Sequence, residues 1–318
     1  MNHIVLICDD AYALPTAVTI QSIIKSNTNE TQYFIHVCTF GLNQQNTSLI
    51  ESLSDGFTKV KIETIIIDEF EERLFKIEQK SHVSKSALIK LELANYFLSI
   101  DKILYLDSDI IVKNSIDSLF ELDISNYYLA ASFEFHKYLD SFLYHFGKKD
   151  KTFYFNSGVM LLNLNAMRKD SIPSRLWDYK LHHSKTTLMD QECFNEVCKG
   201  CILKLSIVYN FNPFFLNKIY LNGINCVYGT SFESINDLEK KAAIVHYVGK
   251  ADKPWIYRTA TLQSLWQQYY DSLNYEQSIS LVDFIPKKES LIKKVVSKIK
   301  AVGFLSFVSY LFYRKKSL

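Results

Sequence analysis

The sequence predicts an α/β fold in which a mostly parallel central sheet carries helices on both faces. Two observations favour this class. Over the first hundred residues, short apolar segments alternate with helix-like segments, which is typical of parallel strands joined by helical crossovers. Residues 103–106 are apolar throughout, as expected of a strand that is buried on both faces of a sheet. In such sheets ligands bind beyond the carboxyl ends of the strands, so we expect the functional residues there.

The individual elements follow from hydrophobic periodicity and from helix-end signals. The first predicted helix has Pro15 in its first turn, where the missing N–H of proline is tolerated. In chain order, the predicted elements of the first half are strand 4–8, helix 12–25, strand 34–39, helix 44–53, strand 60–67, helix 84–98 and strand 103–106. The later elements are strand 128–132, a helix that opens at residue 188, an aromatic loop wall at 210–215 and strand 243–248.

Two carboxylates follow the apolar strand 103–106. In extended backbone Asp107 and Asp109 point to the same side, so they can converge on one point. Two unpaired carboxylates held that close repel each other, and a divalent cation that prefers oxygen ligands, Mg²⁺ or Mn²⁺, removes the repulsion. A plain turn or helix cap is the alternative for an isolated Asp-x-Asp. Asp9 and Asp10 follow the first strand and are expected at the same rim.

The first turn is acidic and aromatic, which argues against a phosphate cradle. No G-x-G-x-x-G follows the first strand, and no G-x-x-x-x-G-K-[ST] occurs in the chain. Asp9 can accept a hydrogen bond from a base N–H or a hydroxyl, and Tyr12 can stack on a base. Packing in the core is the alternative for Tyr12.

Polar residues also interrupt apolar segments in the second half. Asn156, Ser157 and Gly158 lie inside an apolar stretch. Burying such polar groups without partners costs about 1–3 kcal/mol each, so we expect a ligand, a tight turn or a bulge at Gly158. Asp190 and Gln191 open a helix near its positive end, where a simple N-cap is the alternative for Asp190.

His246 ends a strand-like run and is followed by a turn with two lysines. A lone histidine at a strand end is more often structural than a metal ligand. Beside Gly249 and Lys253, however, it is a candidate third metal ligand next to a phosphate clamp.

Composition and charge bound the partners. The 318 residues are 48% hydrophobic with only 9 Gly and 5 Pro, so they can build one large domain or two small ones. Residues 287–318 contain nine basic residues and one acidic residue, a net charge of +8, whereas the rest of the chain carries −6. This distribution favours an acidic surface as partner of the tail alone and no nucleic acid.

The tail combines lysines with apolar residues at helical spacing. Its apolar run 301–313 has 13 residues, fewer than the about 20 that a spanning helix needs. Residues 284–318 are therefore predicted to be a basic amphipathic helix that attaches to an anionic membrane surface. A helix docked on the domain, or a disordered end, is the alternative. The lysines of this helix are Lys287, Lys288, Lys293, Lys294, Lys298 and Lys300.

The N-terminus and the cysteines indicate the compartment. The first apolar run is too short for a signal peptide, and six cysteines without an export signal indicate reduced thiols. Cys193, Cys198 and Cys201 have a spacing seen in iron–sulfur proteins, but the predicted helix there favours buried thiols. The expected location is the cytoplasm, peripherally on the inner face of the cell membrane.

Five motifs follow one another in order: Asp9-Asp10-x-Tyr12, Leu106-Asp-Ser-Asp109, Phe155-Asn-Ser-Gly158, Asp190-Gln191, and His246-Tyr-x-Gly249 continuing to Lys253-Pro-Trp255. Together, over roughly residues 3–270, they resemble glycosyltransferase family 8. This family contains retaining GT-A enzymes, among them bacterial lipopolysaccharide galactosyl- and glucosyltransferases.

The resemblance implies a Rossmann-like GT-A fold and metal-dependent transfer from a UDP-sugar, either UDP-galactose or UDP-glucose. Asp107, Asp109 and His246 would bind Mn²⁺, or Mg²⁺, which bridges the diphosphate. The implied acceptor is a hydroxyl of a glycolipid or oligosaccharide such as lipopolysaccharide.

The same resemblance assigns the remaining site residues. The residues expected to bind the UDP part of the donor are Asp9, Tyr12, Lys90, Ser108, Gly249 and Lys253. Of these, Tyr12 would stack on the uracil, and Lys253 would close over the phosphates. Asn156 and the pair Asp190 and Gln191 would face the donor sugar as catalytic residues.

Three positions depart from the family pattern. Lys90 stands where the family usually has an arginine that touches the donor, and lysine supplies charge but not a planar fork. Ala11 stands where related galactosyltransferases have asparagine. The loop 249–253 is one residue longer than in some relatives, which leaves open whether Lys250 or Lys253 meets phosphate.

Two other functions remain open at this point. A sugar nucleotidyltransferase also uses an α/β sheet and a carboxylate-bound metal, but it would need a basic, glycine-rich first loop. A degenerate sugar-binding or membrane-scaffold protein is the non-enzymatic alternative. In the leading interpretation residues 1–283 form the catalytic domain, with a nucleotide-binding half at about 1–125 and an acceptor half at about 126–283.

Overall fold

The structure, a computed structural model, describes residues 1–29, 31–67, 85–133, 154–183, 189–213, 221–249, 253–273 and 281–282. The strands are β1 (Asn2–Ile7), β2 (Tyr33–Thr39), β3 (Val60–Ile66), β4 (Lys102–Leu106), β5 (Ile110–Val112), β6 (Leu129–Phe133), β7 (Phe155–Asn163), β8 (Ile202–Lys204) and β9 (Ile244–His246). The α-helices are α1 (Ala13–Ser26), α2 (Gln44–Glu51), α3 (Leu93–Tyr96), α4 (Asp117–Glu121), α5 (Leu164–Lys169), α6 (Ile172–His182), α7 (Met189–Val197), α8 (Leu221–Tyr228), α9 (Ile235–Lys241) and α10 (Gln263–Asp271).

Seven of the described strands form one sheet in the order β3-β2-β1-β4-β7-β6-β8. Strands β3, β2, β1 and β4 are parallel, and β6 is parallel to β8, whereas β7 runs antiparallel to both of its neighbours. The predicted mostly parallel α/β sheet is therefore confirmed. Because β1 and β4 are adjacent and parallel, the residues that follow them lie at one rim of the sheet.

Apolar cores cover both faces of the sheet. Along β1, Ile4 and Leu6 pack in the core on the side of α1, whereas Val5 and Ile7 pack in the core on the side of α6 and α7. Successive side chains of a strand point to opposite faces, so a strand buried on both faces must be apolar at every position. This burial explains the uninterrupted apolar runs of the sequence.

The predicted helix 84–98 is wrong in type over most of its length. Lys85–Glu92 is a 3₁₀-helix, and the only α-helical part is α3. Every side chain from 88 to 94 is buried, because β1, β2, α6 and α7 pack around this segment. The segment therefore has no solvent-facing stripe of the kind that an amphipathic α-helix presents.

The small sheet of β5 and β9 packs on α1. Thr19 Oγ1 donates a hydrogen bond to the carbonyl of Ile110 at 2.7 Å, and Ser22 Oγ accepts one from Val112 N at 2.9 Å. The two strands pair antiparallel, with Ile110 opposite His246. This pairing brings His246 to the turn that follows β4.

Strand β7 is irregular where the polar tripeptide lies. Its register against β6 shifts over residues 155–160, whereas its pairing with β4 is regular. The register shift on the β6 side of the strand spans Gly158, where a ligand, a tight turn or a bulge was expected. It leaves this part of β7 free to bond side chains of other elements.

The described residues contain no helix that is both long enough and apolar enough to cross a membrane. The predicted tail 284–318 lies outside the described residues. Its attachment to a membrane surface stays a prediction.

Candidate active site

Asp107, Ser108 and Asp109 form a turn between β4 and β5, so the predicted extended backbone is wrong here. Ser108 Oγ donates to the carbonyl of Ile7 at 2.8 Å, which holds the turn against β1. Tyr105 OH donates to Asp107 Oδ1 at 2.7 Å. The two carboxylates converge, as expected, but the turn brings them together. Contact of Ser108 with a nucleotide stays a prediction.

His246 completes a cluster with the two carboxylates. Its Nε2 lies 3.1 Å from Asp109 Oδ1 and 3.6 Å from Asp107 Oδ2. One ligand atom from each of the three residues lies within 4.8 Å of the others. The structure thus brings together the three side chains that were predicted as metal ligands.

Two further features of this cluster fit a divalent cation. Asp109 Oδ1 is buried and receives no hydrogen bond, so a cation would satisfy it. A Cβ on Gly158 would lie 2.7 Å from Asp107 Oδ2 and 2.9 Å from His246 Nδ1, closer than real Cβ atoms come. Glycine is therefore needed so that carboxylate and imidazole can approach each other. Two carboxylates and an imidazole are a ligand set suited to a divalent metal such as Mn²⁺.

Lys90 links the cluster of Asp107, Asp109 and His246 to Asp190. Its Nζ lies 2.9 Å from Asp107 Oδ1 and 2.8 Å from Asp190 Oδ2, although Lys90 is only 4% exposed. Burial lowers the pKa of Lys90, but the charges of Asp107 and Asp190 outweigh burial and raise the pKa above its usual value. Lys90 is therefore a buried cation between two carboxylates. Its expected contact with the donor stays a prediction.

Lys253 binds the other carboxylate of the cluster. Its Nζ donates to Asp109 Oδ2 and, at 2.8 Å, to the carbonyl of Tyr247. Burial lowers the pKa of Lys253, but Asp109 raises it, and the net shift is upward. Burial likewise raises the pKa of Asp109, but the charge of Lys253 holds it below its usual value. The ammonium group is therefore charged and adjacent to the predicted metal position.

Asp190, Gln191 and Asn156 meet where α7 packs on β7. Ser157 Oγ donates to Asp190 Oδ2 at 2.8 Å, and Ser157 N donates to Gln191 Oε1 at 3.1 Å. Asn156 Nδ2 donates to the same Gln191 oxygen at 3.2 Å. Asp190 lies inside the first turn of α7, where its carboxylate binds Lys90 and Ser157, so it is not a simple N-cap.

Asp9 and Tyr12 lie beyond the end of β1. Asp9 Oδ1 accepts a hydrogen bond from Tyr12 N at 3.2 Å. Tyr12 packs edge-on against Trp255, with 5.8 Å between ring centroids, and remains 36% exposed. This exposure agrees with a stacking surface better than with a core position. Asp10, by contrast, accepts hydrogen bonds from the backbone and side chain of Asn43 and so fixes the start of α2.

Gly249 has a φ of +92°, in the left-handed region that favours glycine. The backbone therefore turns sharply at Gly249, three residues after His246. Lys250 lies outside the described residues, and the choice between Lys250 and Lys253 as the phosphate contact stays a prediction.

Two polar contacts of the cluster were not predicted from the sequence. Tyr105 was assigned only to a strand, and Asn210 only to a loop wall. Asn210 is 5% exposed, and its Oδ1 lies 2.9 Å from His246 Nδ1. The available signal was an amide inside an aromatic run, since a buried amide needs hydrogen-bond partners.

We expect the substitution Gly158→Ala to weaken Mn²⁺ binding by about 10- to 100-fold, the range found for changes beside metal ligands. The added methyl group would push Asp107 and His246 apart. Titration of the chain with Mn²⁺, with the free ion followed by electron paramagnetic resonance, measures the affinity.

The control is Gly200→Ala. Gly200 has a φ of +86°, and nothing lies within 4 Å of the position of an added Cβ. This change should lower the free energy of unfolding by about 1–2 kcal/mol and leave Mn²⁺ affinity unchanged. Equal metal affinity of the wild-type and Gly158→Ala proteins would contradict the assignment of the metal site.

The sequence is similar to those of known glycosyltransferases. The sequence model of the family "Glycosyl transferase family 8" matches residues 3–259. A putative glycosyltransferase of Haemophilus influenzae is 29% identical over 238 residues, which cover 71% of this chain and 68% of that protein. A lipopolysaccharide 1,2-glucosyltransferase of Escherichia coli is 27% identical over 256 residues, which cover 78% of this chain and 71% of that protein.

The fold also resembles that of a solved glycosyltransferase structure. The galactosyltransferase LgtC, solved in complex with donor and acceptor sugar analogs, superposes with a TM-score of 0.69 at 24% identity, covering 87% of this chain and 98% of that one. This likeness concerns the fold and confirms the predicted GT-A type. Because the sequence model of the family spans the ordered motifs and most of the chain, the chain belongs to glycosyltransferase family 8.

Proposed function

We propose that the protein is a retaining hexosyltransferase that moves galactose or glucose from a UDP-sugar to a hydroxyl of a bacterial surface glycan such as lipopolysaccharide. The observation that carries this proposal is the convergence of Asp107, Asp109 and His246 with the charged side chain of Lys253. Such a cluster suits a metal-bound diphosphate. The lipopolysaccharide glucosyltransferase among the relatives supports the class of acceptor.

The donor would bind across the rim of the sheet. Asp9 and the exposed ring of Tyr12 would hold the uracil, and Gly249 and Lys253 would close over the phosphates. The bound metal would neutralise the charge that develops on the leaving diphosphate. In this proposal residues 1–125 supply most of the nucleotide site and residues 126–283 most of the acceptor site.

The residues expected to face the donor sugar favour a same-face route. In this route the acceptor hydroxyl attacks the sugar on the face from which the diphosphate leaves. Retaining glycosidases use a carboxylate nucleophile, but Gln191 is an amide whose oxygen already accepts from Ser157 N. Asp190 is the nearby carboxylate, and its Oδ2 already binds Lys90 and Ser157. In the same-face route the departing phosphate oxygen takes the proton of the acceptor hydroxyl.

The donor proposal is tested by incubating the protein with a panel of UDP-hexoses and Mn²⁺. We expect hydrolysis or transfer with UDP-galactose or UDP-glucose, and loss of turnover when the metal is chelated. Asp109→Asn should remove turnover as well, since it weakens the metal site. Silence with every common UDP-hexose would favour a non-catalytic scaffold, and activity only with a nucleoside triphosphate and a sugar phosphate would favour a nucleotidyltransferase.

The mechanism is tested at Asp190. Asp190→Asn should abolish turnover under either route, because Lys90 and Ser157 lose the carboxylate that they share. Mass spectrometry of the wild-type protein with donor and no acceptor separates the routes. We expect that the mass of the protein does not increase by that of one hexose. A hexose mapped to Asp190 would contradict the same-face route.

The tail 284–318 would hold the enzyme on the cytoplasmic face of the membrane. Four substitutions by glutamine, at Lys293, Lys294, Lys298 and Lys300, should weaken binding to anionic vesicles. At about 1 kcal/mol per lysine the total is about 4 kcal/mol, close to a 1000-fold loss. Vesicle sedimentation measures it, with zwitterionic vesicles and high salt as controls; unchanged binding would contradict the proposal.

A further inference from the structure

A chain of hydrogen-bonded amides leads from strand β7 to the imidazole of the metal cluster. Gly158 N donates to Asn156 Oδ1 at 2.9 Å. Asn210 Nδ2 donates to the same oxygen at 3.0 Å. Asn210 Oδ1 lies 2.9 Å from His246 Nδ1. Asn156, Asn210 and His246 lie far apart in the sequence, and this series of hydrogen bonds joins them directly.

A backbone N–H sets the direction of every hydrogen bond in this series. The N–H of Gly158 can only donate, so the atom of Asn156 that faces it must be the carbonyl oxygen. That oxygen accepts, so the atom of Asn210 that faces it must be the NH₂ group. The remaining atom of Asn210, its oxygen, therefore faces His246. Since this oxygen can only accept, His246 Nδ1 must carry a proton.

The position of that proton decides which nitrogen of His246 can bind metal. A neutral imidazole with a proton on Nδ1 has its lone pair on Nε2. Nε2 is the nitrogen that lies 3.1 Å from Asp109 Oδ1 and 3.6 Å from Asp107 Oδ2. The amide chain therefore directs the lone pair of the ring at the two carboxylates, where a cation would be shared by all three groups.

The other end of the chain reaches the sugar side of the site. Asn156 Nδ2 donates to Gln191 Oε1, and the N–H of Ser157 donates to the same oxygen. A backbone donor thus fixes the orientation of the Gln191 amide too. Two successive N–H groups of β7, those of Ser157 and Gly158, orient the side chains on both sides of the site.

We infer that Asn210 is a positioning residue for the divalent metal: it holds His246 in the Nδ1–H tautomer, with Nε2 directed at Asp107 and Asp109. This inference deepens the metal part of the proposed function. Asn210 is 5% exposed, and the residue after it, Phe211, bonds β9 on both sides of Val245, at Ile244 O and His246 N. Asn210 is therefore held in place by the strand that carries its partner.

The tautomer can be measured without any substitution. The chain contains eight histidines, so long-range ¹H–¹⁵N correlation spectra of ¹⁵N-histidine-labelled protein are tractable, with His246 assigned by the signal lost in His246→Asn. The metal-free protein is measured at about pH 8.5, well above the usual histidine pKa. We expect the Nδ1–H pattern for His246. The Nε2–H pattern would overturn the inference.

The contribution of Asn210 to metal affinity is measured with Asn210→Leu. Leucine has the same branched side-chain skeleton and offers no acceptor to Nδ1. We expect about 10- to 100-fold weaker Mn²⁺ binding by electron paramagnetic resonance, as for other groups that orient a metal-binding histidine. An affinity within about twofold of wild type would overturn the inference.

Asn195→Leu is the matched control. Asn195 is 7% exposed and also supports β7, since it bonds the backbone of Phe155 and the carbonyl of Gln191, but it makes no bond to His246. We expect its Mn²⁺ affinity to stay within about threefold of wild type, against the 10- to 100-fold loss of Asn210→Leu. An equal loss in both variants would show a general packing effect and overturn the inference.

Neither readout uses a sugar donor. A wild-type protein that binds Mn²⁺, shows the Nδ1–H tautomer and transfers no hexose would therefore refute the proposed function and support the role of Asn210. Loss of Mn²⁺ affinity in Asn210→Leu with turnover restored by excess Mn²⁺ would support both.

Discussion

The pairing of β5 with β9 is the interaction on which the site depends. It places His246 opposite Ile110, directly after the turn that carries the two carboxylates. A slip of one residue in this register would turn His246 to the other face of the strand and remove it from the cluster. The register is supported from two sides, by Thr19 of α1 on Ile110 and by Phe211 on the backbone of β9. The candidate metal site of this family 8 fold therefore depends on the short pairing of β5 with β9.

The charges around the cluster would suit a divalent metal and a diphosphate together. Asp107, Asp109 and Asp190 are joined by only two lysines, Lys90 and Lys253, so these five groups have a formal charge of −1. A divalent cation would change this to +1, which favours an anionic donor. Each lysine is shared between a carboxylate and a further acceptor, so neither is free to leave without cost. In the proposed function, metal and donor binding would thus be coupled through the same carboxylates.

At two places the observed backbone conformation differs from the one that the local sequence predicts, because the segment is buried. The segment around Lys90 has the composition of an amphipathic helix, but enclosure on all sides made it mostly 3₁₀, with Lys90 directed at Asp107 and Asp190. The carboxylates of Asp107 and Asp109 were expected to converge through extended backbone, but a turn tied to Ile7 by Ser108 does this. In both cases the contacts that decide the conformation come from other elements of the fold. Propensity within the segment could not include them.

The sequence by itself determined the parallel sheet, the rim where the site lies, the pair of carboxylates after β4 and the family. These features depend on neighbours along the chain, such as the apolar run before Asp107 or the short spacing of Asp107 and Asp109. Tertiary structure alone decided the partners of Lys90, 100 residues from Asp190, and of Lys253, 144 residues from Asp109. It also decided the contact of Asn210 with His246. Such contacts depend on strand register and helix packing, which set distances between side chains that no local pattern contains.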